Sequence, residues 1–202
     1  MKRTSAFVLL LSLFALVRSA AATVVLDLDG PELAAVADAI VHARVISVEA
    51  IASNEGRVIT TAVLEVIEGL KGVDTGRRVR VIYPGGVARH LGMLVSGQIA
   101  LNENTEVVLY LQKNEGDSYL PAAMSLGYFA ITRRDYDGVR IAARDTSGIT
   151  LVRHAKIRGV TQTVVAEPRA LRAPLTTVLD DIRKDLEVAR RFPKDYVIGG
   201  GQ

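Results

Sequence analysis

Few side chains in this sequence are equipped for acid–base or metal chemistry without help from a distant neighbour. There are three histidines, His42, His90 and His154, separated by 48 and 64 residues. That separation supplies no local metal signature, and no H-E-x-x-H places two of them on one helical face. Serine lacks its usual catalytic settings. Ser96-Gly97 has no preceding glycine to complete a G-x-S-x-G elbow, and no S-x-x-K supplies a lysine base. Two acidic runs, Asp27-x-Asp29-Gly30 and Asp135-x-Asp137-Gly138, imitate the start of a calcium loop. An EF-hand needs glycine at its sixth position, where these runs have Glu32 and Arg140. Both read as turns. No catalytic residue, metal ligand or cofactor is assigned, and a hydrolase built from dispersed residues around His42 or His90 is kept as the alternative.

One stretch stands out as a contact surface. VIYPGGVARHLG (81–92) joins a strand-like run to Gly85-Gly86, Arg89 and His90. The glycines follow a strand as a phosphate cradle would, but neither G-K-[ST] nor G-x-G-x-x-G is completed. A phosphate loop also needs a following helix to aim its N–H groups. Here Gly92, Gly97 and Asn102-Glu103-Asn104 break up what comes next. The glycines are therefore expected where the backbone needs positive φ. Roughly twenty residues, 84 to 104, separate two strands, and loops of that length are usually functional or disordered. Gly85, Gly86, Arg89 and His90 are the binding residues expected from sequence.

The opening residues carry an export pattern. Lys2 and Arg3 precede an apolar run from Ala6 to Val17 broken only by Ser12, and Ala20-Ala21-Ala22 offers an A-x-A cleavage site. A spanning helix needs roughly 20 apolar residues, so residues 1–22 read as a signal peptide rather than an anchor. The mature chain would be secreted or periplasmic, with no membrane span. Loss of Lys2, Arg3 and Arg18 takes 25 basic residues to 22, equal to the 22 acidic ones. That balance removes the usual ground for nucleic-acid binding, which needs clustered cations. A local surplus survives between Arg133 and Arg172, with nine basic and four acidic residues, and is expected to be a solvated basic face rather than an anionic-partner site. The chain has no cysteine, so stability must come from an apolar core, for which 180 residues suffice.

The elements that must carry these residues are mostly strands. A short helix is expected from Pro31 to Ala39, after a strand at Val24 to Leu28. Ile40–Ile51 and Arg57–Ile67 form a hairpin across Asn54-Glu55-Gly56. Val58, Ala62, Leu64 and Val66 share a face interrupted by Thr60. Arg78–Tyr83 alternates cleanly. Thr105–Gln112 contains the unbroken run Val107 to Leu111, the mark of a strand covered on both faces. Shorter strands follow at 118–120, 126–132 and 139–142, with Asp137-Gly138 read as a type I′ hairpin turn. At the end Leu175, Val178, Leu179, Ile182, Leu186 and Ala189 paint one face of a helix, with Thr177 and Asp180 as a capping pair and Phe192-Pro193 as its stop. The expectation is a mainly β chain. It has an antiparallel, partly closed OB-like barrel, a short N-terminal helix and a docked C-terminal amphipathic helix. Residues 23–192 form one domain and 193–202 a flexible tail.

The order of these pieces resembles a group of small exported bacterial proteins of uncharacterised function, some of them beside or fused to secreted matrixin-like metalloproteases. The resemblance is carried by ADAIVHARVISVE (37–49), ITTAVLEVIEGLKG (59–72), VRVIYPGG (79–86), GMLVSGQ (92–98), EVVLYL (106–111) and YLPAAMSLGYFAI (119–131). It covers roughly residues 33–132. Where that group commonly has Gly-Glu before the buried strand, this chain has Thr105-Glu106. More distantly, the strand rhythm is similar to the OB fold of tissue inhibitors of metalloproteases and netrin-like modules. Their inhibition relies on an N-terminal cysteine, which is missing here, so that mechanism does not carry over. The function expected is an exported, non-enzymatic binding module for a protein or cell-envelope partner, including a secreted metalloprotease. A structural envelope component is the further alternative.

Overall fold

The computed structural model describes residues 23–157, 160–168 and 170–191. The expected signal peptide, the Phe192-Pro193 stop and the glycine tail lie outside them. The chain enters through β1 (Thr23–Leu26) and turns into α1 (Gly30–Val36). Asp29 starts the helix with a capping box: its Oδ1 accepts from the Glu32 N–H, and Glu32 Oε2 accepts from the Asp29 N–H, both at 2.9 Å. The helix stops at Val36, short of the expected Ala39, because Ala39 already pairs with Leu111 in a sheet. Its last carbonyls are held by a cation. Lys71 Nζ donates to the carbonyl oxygens of Ala34, Ala35 and Ala37, at the negative end of the helix dipole.

β2 (Ala39–Ala52), β3 (Val58–Lys71) and β4 (Arg78–Pro84) run antiparallel in succession. Within the expected long loop the chain forms a small hairpin, β5 (Gly86–Ala88) with β6 (Leu91–Met93). β7 (Glu106–Lys113) then pairs beside β2. β8 (Ser118–Pro121) lies parallel to β4 and antiparallel to β7, closing a five-stranded ring. Counting barrel strands in chain order, the ring runs first, second, third, fifth, fourth, an OB-like barrel. Three register shifts in the β2–β3 pair, between Ile40 and Ser47, let two long strands curl around it. Its interior is filled by Val41, Ala43 and Val45 facing Leu64, Val66 and Val81.

Beyond the barrel, β9 (Tyr128–Arg133), β10 (Arg140–Arg144) and, after β11 (Ile149–Ile157) and β12 (Val160–Ala166), β13 (Leu171–Pro174) extend the same sheet from β7. β11 pairs parallel to β1 and antiparallel to β12 in a separate three-stranded sheet. α2 (Leu175–Ala189) lays Leu175, Val178, Leu179 and Ile182 into a second core with Leu33 of α1 and Val108 and Tyr110 of β7. The mainly β chain with a barrel, a short N-terminal helix and a docked C-terminal helix is therefore what the fold contains. No helix among the described residues is long and apolar enough to cross a membrane.

Two local expectations are corrected. α2 begins at Leu175 with Pro174 at its N-cap and no side-chain cap, which puts Thr177 inside the first turn, and Asp180 pairs with Arg183 instead. β13 runs directly into the helix, so the extended backbone of Pro174 sets the boundary before any hydroxyl is needed. At Asp137-Gly138 only Gly138 has positive φ, at 68°, which excludes a type I′ turn. The Gly138 N–H instead bonds to the Arg134 carbonyl in a wider loop, in which the Asp137 carboxylate is engaged by the Arg134 guanidinium.

Ile182 is buried between the two helices and the sheet. Ile182→Ala is expected to lower unfolding free energy by about 2–5 kcal/mol. Urea titration checks this, and a loss below about 0.5 kcal/mol, the size of an ordinary surface change, would show that α2 does not dock.

Candidate functional site

The barrel has an open, apolar mouth. A cavity of about 530 Å³ lies between the β2–β3 pair and the segment that includes β5 and β6. Its walls include Val48 and Ala50 of β2, Val87, Met93, Leu94 and Val95 of the covering segment, and Ile99 and Leu101 deeper in. That volume lies in the range of small-ligand and side-chain pockets. Tyr83 is the ionisable side chain of the lining, and burial raises its hydroxyl pKa. The phenol oxygen accepts from the Leu101 N–H at 3.2 Å. On the rim two large apolar side chains face water: Val87 is 75% exposed and Leu94 98%. Ile51 and Ile59 stand directly opposite each other on β2 and β3, on the outer face of the sheet, the side opposite to Ala50 and Thr60 of the cavity wall.

The glycines seen in the sequence build this mouth. Gly85 and Gly86 have φ of 99° and 120°, a conformation that side chains resist. They turn β4 sharply into β5 so that the hairpin folds back over the barrel. A Cβ on Gly86 would be driven into the Thr60 hydroxyl. That hydroxyl donates to the Gly85 carbonyl, which explains the polar interruption in the otherwise apolar face of β3: Thr60 is buried and satisfied by the turn it supports. The four expected binding residues separate accordingly. Gly85 and Gly86 line the cavity, whereas Arg89 and His90 form the exposed turn between β5 and β6 outside it, Arg89 with φ of 55°.

A second polar arrangement joins residues far apart in sequence. His42 Nε2 lies 3.3 Å from Glu106 Oε2, Arg44 reaches Glu106 Oε1 at 3.2 Å, and Arg140 reaches Oε2 at 3.3 Å. These residues sit on β2, β7 and β10, on the face away from the barrel interior. Burial pushes the Glu106 carboxyl up, but hydrogen bonds from Arg44, His42 and Arg140 together outweigh it and hold the group below the usual carboxylate range. For His42 burial dominates and lowers its pKa despite the Glu106 hydrogen bond. The neutral imidazole therefore donates through Nε2. With 2% of its surface exposed, His42 is shielded from any substrate, and its partner is already shared by two guanidinium groups. The side chain of His154 lies outside the described residues. Among the described residues no group of three or more His, Asp or Glu side chains is placed to hold a metal ion.

The sequence signalled the mouth through Gly85-Gly86 but not through its walls. Leu94 and Val95 read as filler in a long loop, and nothing local linked Glu106 to His42, 64 residues away. No protein-family model, curated protein or solved structure matches the chain.

Gly86→Ala is expected to cost about 1–3 kcal/mol, since it combines a strained φ with the Thr60 contact. Urea unfolding checks this, and a neutral outcome would mean that the turn relaxes without cost. Acid should destabilise the protein in two stages. His42, with its folded pKa depressed, loses stability as pH falls below the ordinary imidazole value of about 6.5. Glu106, also depressed, loses it as pH falls through the carboxylate range. Glu106→Gln should shrink the second stage, leaving what comes from Asp137 and Asp145, held low by Arg134 and by the Ser147 N–H, and cost about 1–3 kcal/mol at pH 7. Urea midpoints from pH 7.5 to 4 test both, and a flat profile in the parent protein would refute the arrangement.

Proposed function

We propose that this protein is an exported, non-enzymatic binding module whose barrel mouth receives a protein or cell-envelope partner, a secreted metalloprotease among the candidates. The observation that carries the reading is the pair of exposed apolar side chains, Val87 and Leu94, on the wall of an apolar cavity. An isolated exposed leucine needs no explanation, but a contiguous apolar rim around a concavity marks an interaction surface. The Val87 and Leu94 side chains remain in water unless something covers them.

The arrangement also supports the reading mechanically. The hairpin is anchored at its base by the Thr60–Gly85 bond and by Gly85 N–H donating to the Val58 carbonyl at 2.8 Å. It is thus a protrusion on a rigid barrel, the arrangement by which binding loops are usually presented. Arg89 and His90, exposed at its tip, would meet a partner that seats on the mouth and reaches over the hairpin. OB-type barrels commonly bind through their second and third strands, here β3 and β4, whose Thr60, Tyr83 and Pro84 line the mouth.

A photo-crosslinking amino acid at position 94, with position 136 as an exposed control, tests the reading in the exported fraction of the producing cells. A discrete adduct from position 94 and none from 136 is expected. With the crosslinker kept at position 94, Val87→Asp should abolish the adduct while leaving thermal unfolding unchanged, and Arg89→Ala with His90→Ala should weaken it. Equal labelling from both positions, or an adduct that survives Val87→Asp, would refute the mouth as the docking site.

A further inference from the structure

The basic surplus after Arg133 does not spread evenly around the surface. β9 and β10 are antiparallel, and Arg133 stands directly opposite Arg140 in their register. Like charges in that position repel, and the arrangement is unfavourable without an anion between them. Ile131, two residues before Arg133 and on the same face, stands opposite Glu106, which in turn stands opposite Arg44. The result is one carboxylate facing three guanidinium groups. Glu106 is engaged by Arg44, Arg140 and His42, and the Arg133 side chain makes no ion pair or hydrogen bond with any of the described residues. Two further acids lie on the β3 side of this face: Glu65, opposite Arg44 on one side and Arg78 on the other, and Glu68, opposite His42 and paired with Arg183. A notch of about 220 Å³ opens beside these groups, lined by Asn104, Thr105, Glu106, Ile131, Thr132, Arg133 and Arg140.

We infer that this notch is an anion subsite that takes a single carboxylate from an acidic segment of the partner. Three features lead there. Arg44, Arg133 and Arg140 outnumber Glu106 and Glu65 with His42 neutral, and Glu65 also faces Arg78, so an incoming anion is drawn in rather than repelled. Arg133 and Arg140 present planar forks, a geometry matched to the two oxygens of a carboxylate. The notch is small, with Asn104, Thr105, Thr132 and Ile131 completing its lining, a size that suits one acidic side chain rather than an acyl chain or a sugar ring. Position supplies the link to the mouth. Asn102 lines the apolar cavity and Asn104 to Glu106 line the notch, so the two are no more than about 14 Å apart along the chain. A partner segment with an apolar anchor and an acid within about four residues would engage both. Assignment of the carboxylate to a partner rests on the function proposed above, whereas the subsite itself rests on the arginines alone.

The test uses the mature chain and small probes that ignore the mouth. Side-chain Nε–H resonances of Arg44, Arg133 and Arg140 are followed by NMR as N-acetyl-aspartate methylamide is added, with Arg89 as an exposed control. Saturable shifts at those three arginines and none at Arg89 are expected. Arg133→Ala should weaken binding at least about tenfold with its melting temperature retained, and Arg133→Lys should fall between. Parallel titrations use inorganic phosphate and phosphatidylglycerol vesicles. Tighter binding of either would overturn the carboxylate assignment, as would shifts shared by Arg89 or unaltered by Arg133→Ala. Because the probe does not reach position 94, its failure would leave the crosslinking result standing, and the reverse holds too.

Discussion

β7 is buried on both faces, and the rest of the molecule is arranged around that fact. Val107, Leu109 and Leu111 point into the barrel while Val108 and Tyr110 point into the helical core, all of them at most 2% exposed. One strand thus belongs to two cores. A strand in that position cannot alternate polar and apolar residues, so its sequence is a continuous apolar run. It also pairs on one edge with β2 and on the other first with β9 and then with β8. The change of partner near Tyr110 is where the barrel closes and the outer sheet departs. Both cores would lose their shared wall if that run were interrupted.

The two surfaces discussed above lie at the start of the same strand. The segment that leaves β4 at Gly85 must return to β7, and it is locked there by Asn104 N–H to the Val45 carbonyl and Val45 N–H to the Thr105 carbonyl, both at 2.9 Å. Those bonds hold the deep end of the apolar mouth. One residue on, Glu106 faces outward because Val107 must face inward, and that alternation delivers its carboxylate to His42, Arg44 and Arg140. The cationic notch is therefore a consequence of register. Shifting β7 by one residue would bury Glu106 in the barrel and expose Val107.

What could be read from the sequence follows the range of the forces involved. The unbroken run at 107–111, the alternation at 78–83 and the helical spacing from Leu175 are consequences of burial on a local periodic scaffold, so they are visible in a few residues. Gly85-Gly86 was visible for the same reason, because positive φ is a local demand. β5 and β6 were not, as three-residue strands held by a turn and by packing on β2 and β3 leave no periodic trace. β11 to β13 escaped too: their polar residues obscure the alternation, and β1, the partner of β11, lies more than a hundred residues earlier. The capping pair at Thr177 failed because the preceding strand sets the helix boundary. The Glu106 arrangement needs four strands in register, and only the topology brings them together.

The division of labour between these parts explains how a chain can keep apolar residues in water and still fold to one structure. The stabilising burial lies in β7, in the hairpin of β2 and β3, and in the docked α2, none of which includes Val87 or Leu94. The mouth rides on that frame through a few short-range bonds at its base. A segment so attached can carry solvent-facing apolar side chains because their removal from water is not what drives folding, and they contribute little to the folded state's free energy before a partner arrives. The rigid base matters equally. If the hairpin collapsed into the cavity, Val87 and Leu94 would be buried and the mouth would close. The Thr60 hydroxyl fixed to Gly85 and the two glycines at positive φ set the direction in which the chain leaves β4, and that direction keeps the hairpin standing over an open barrel.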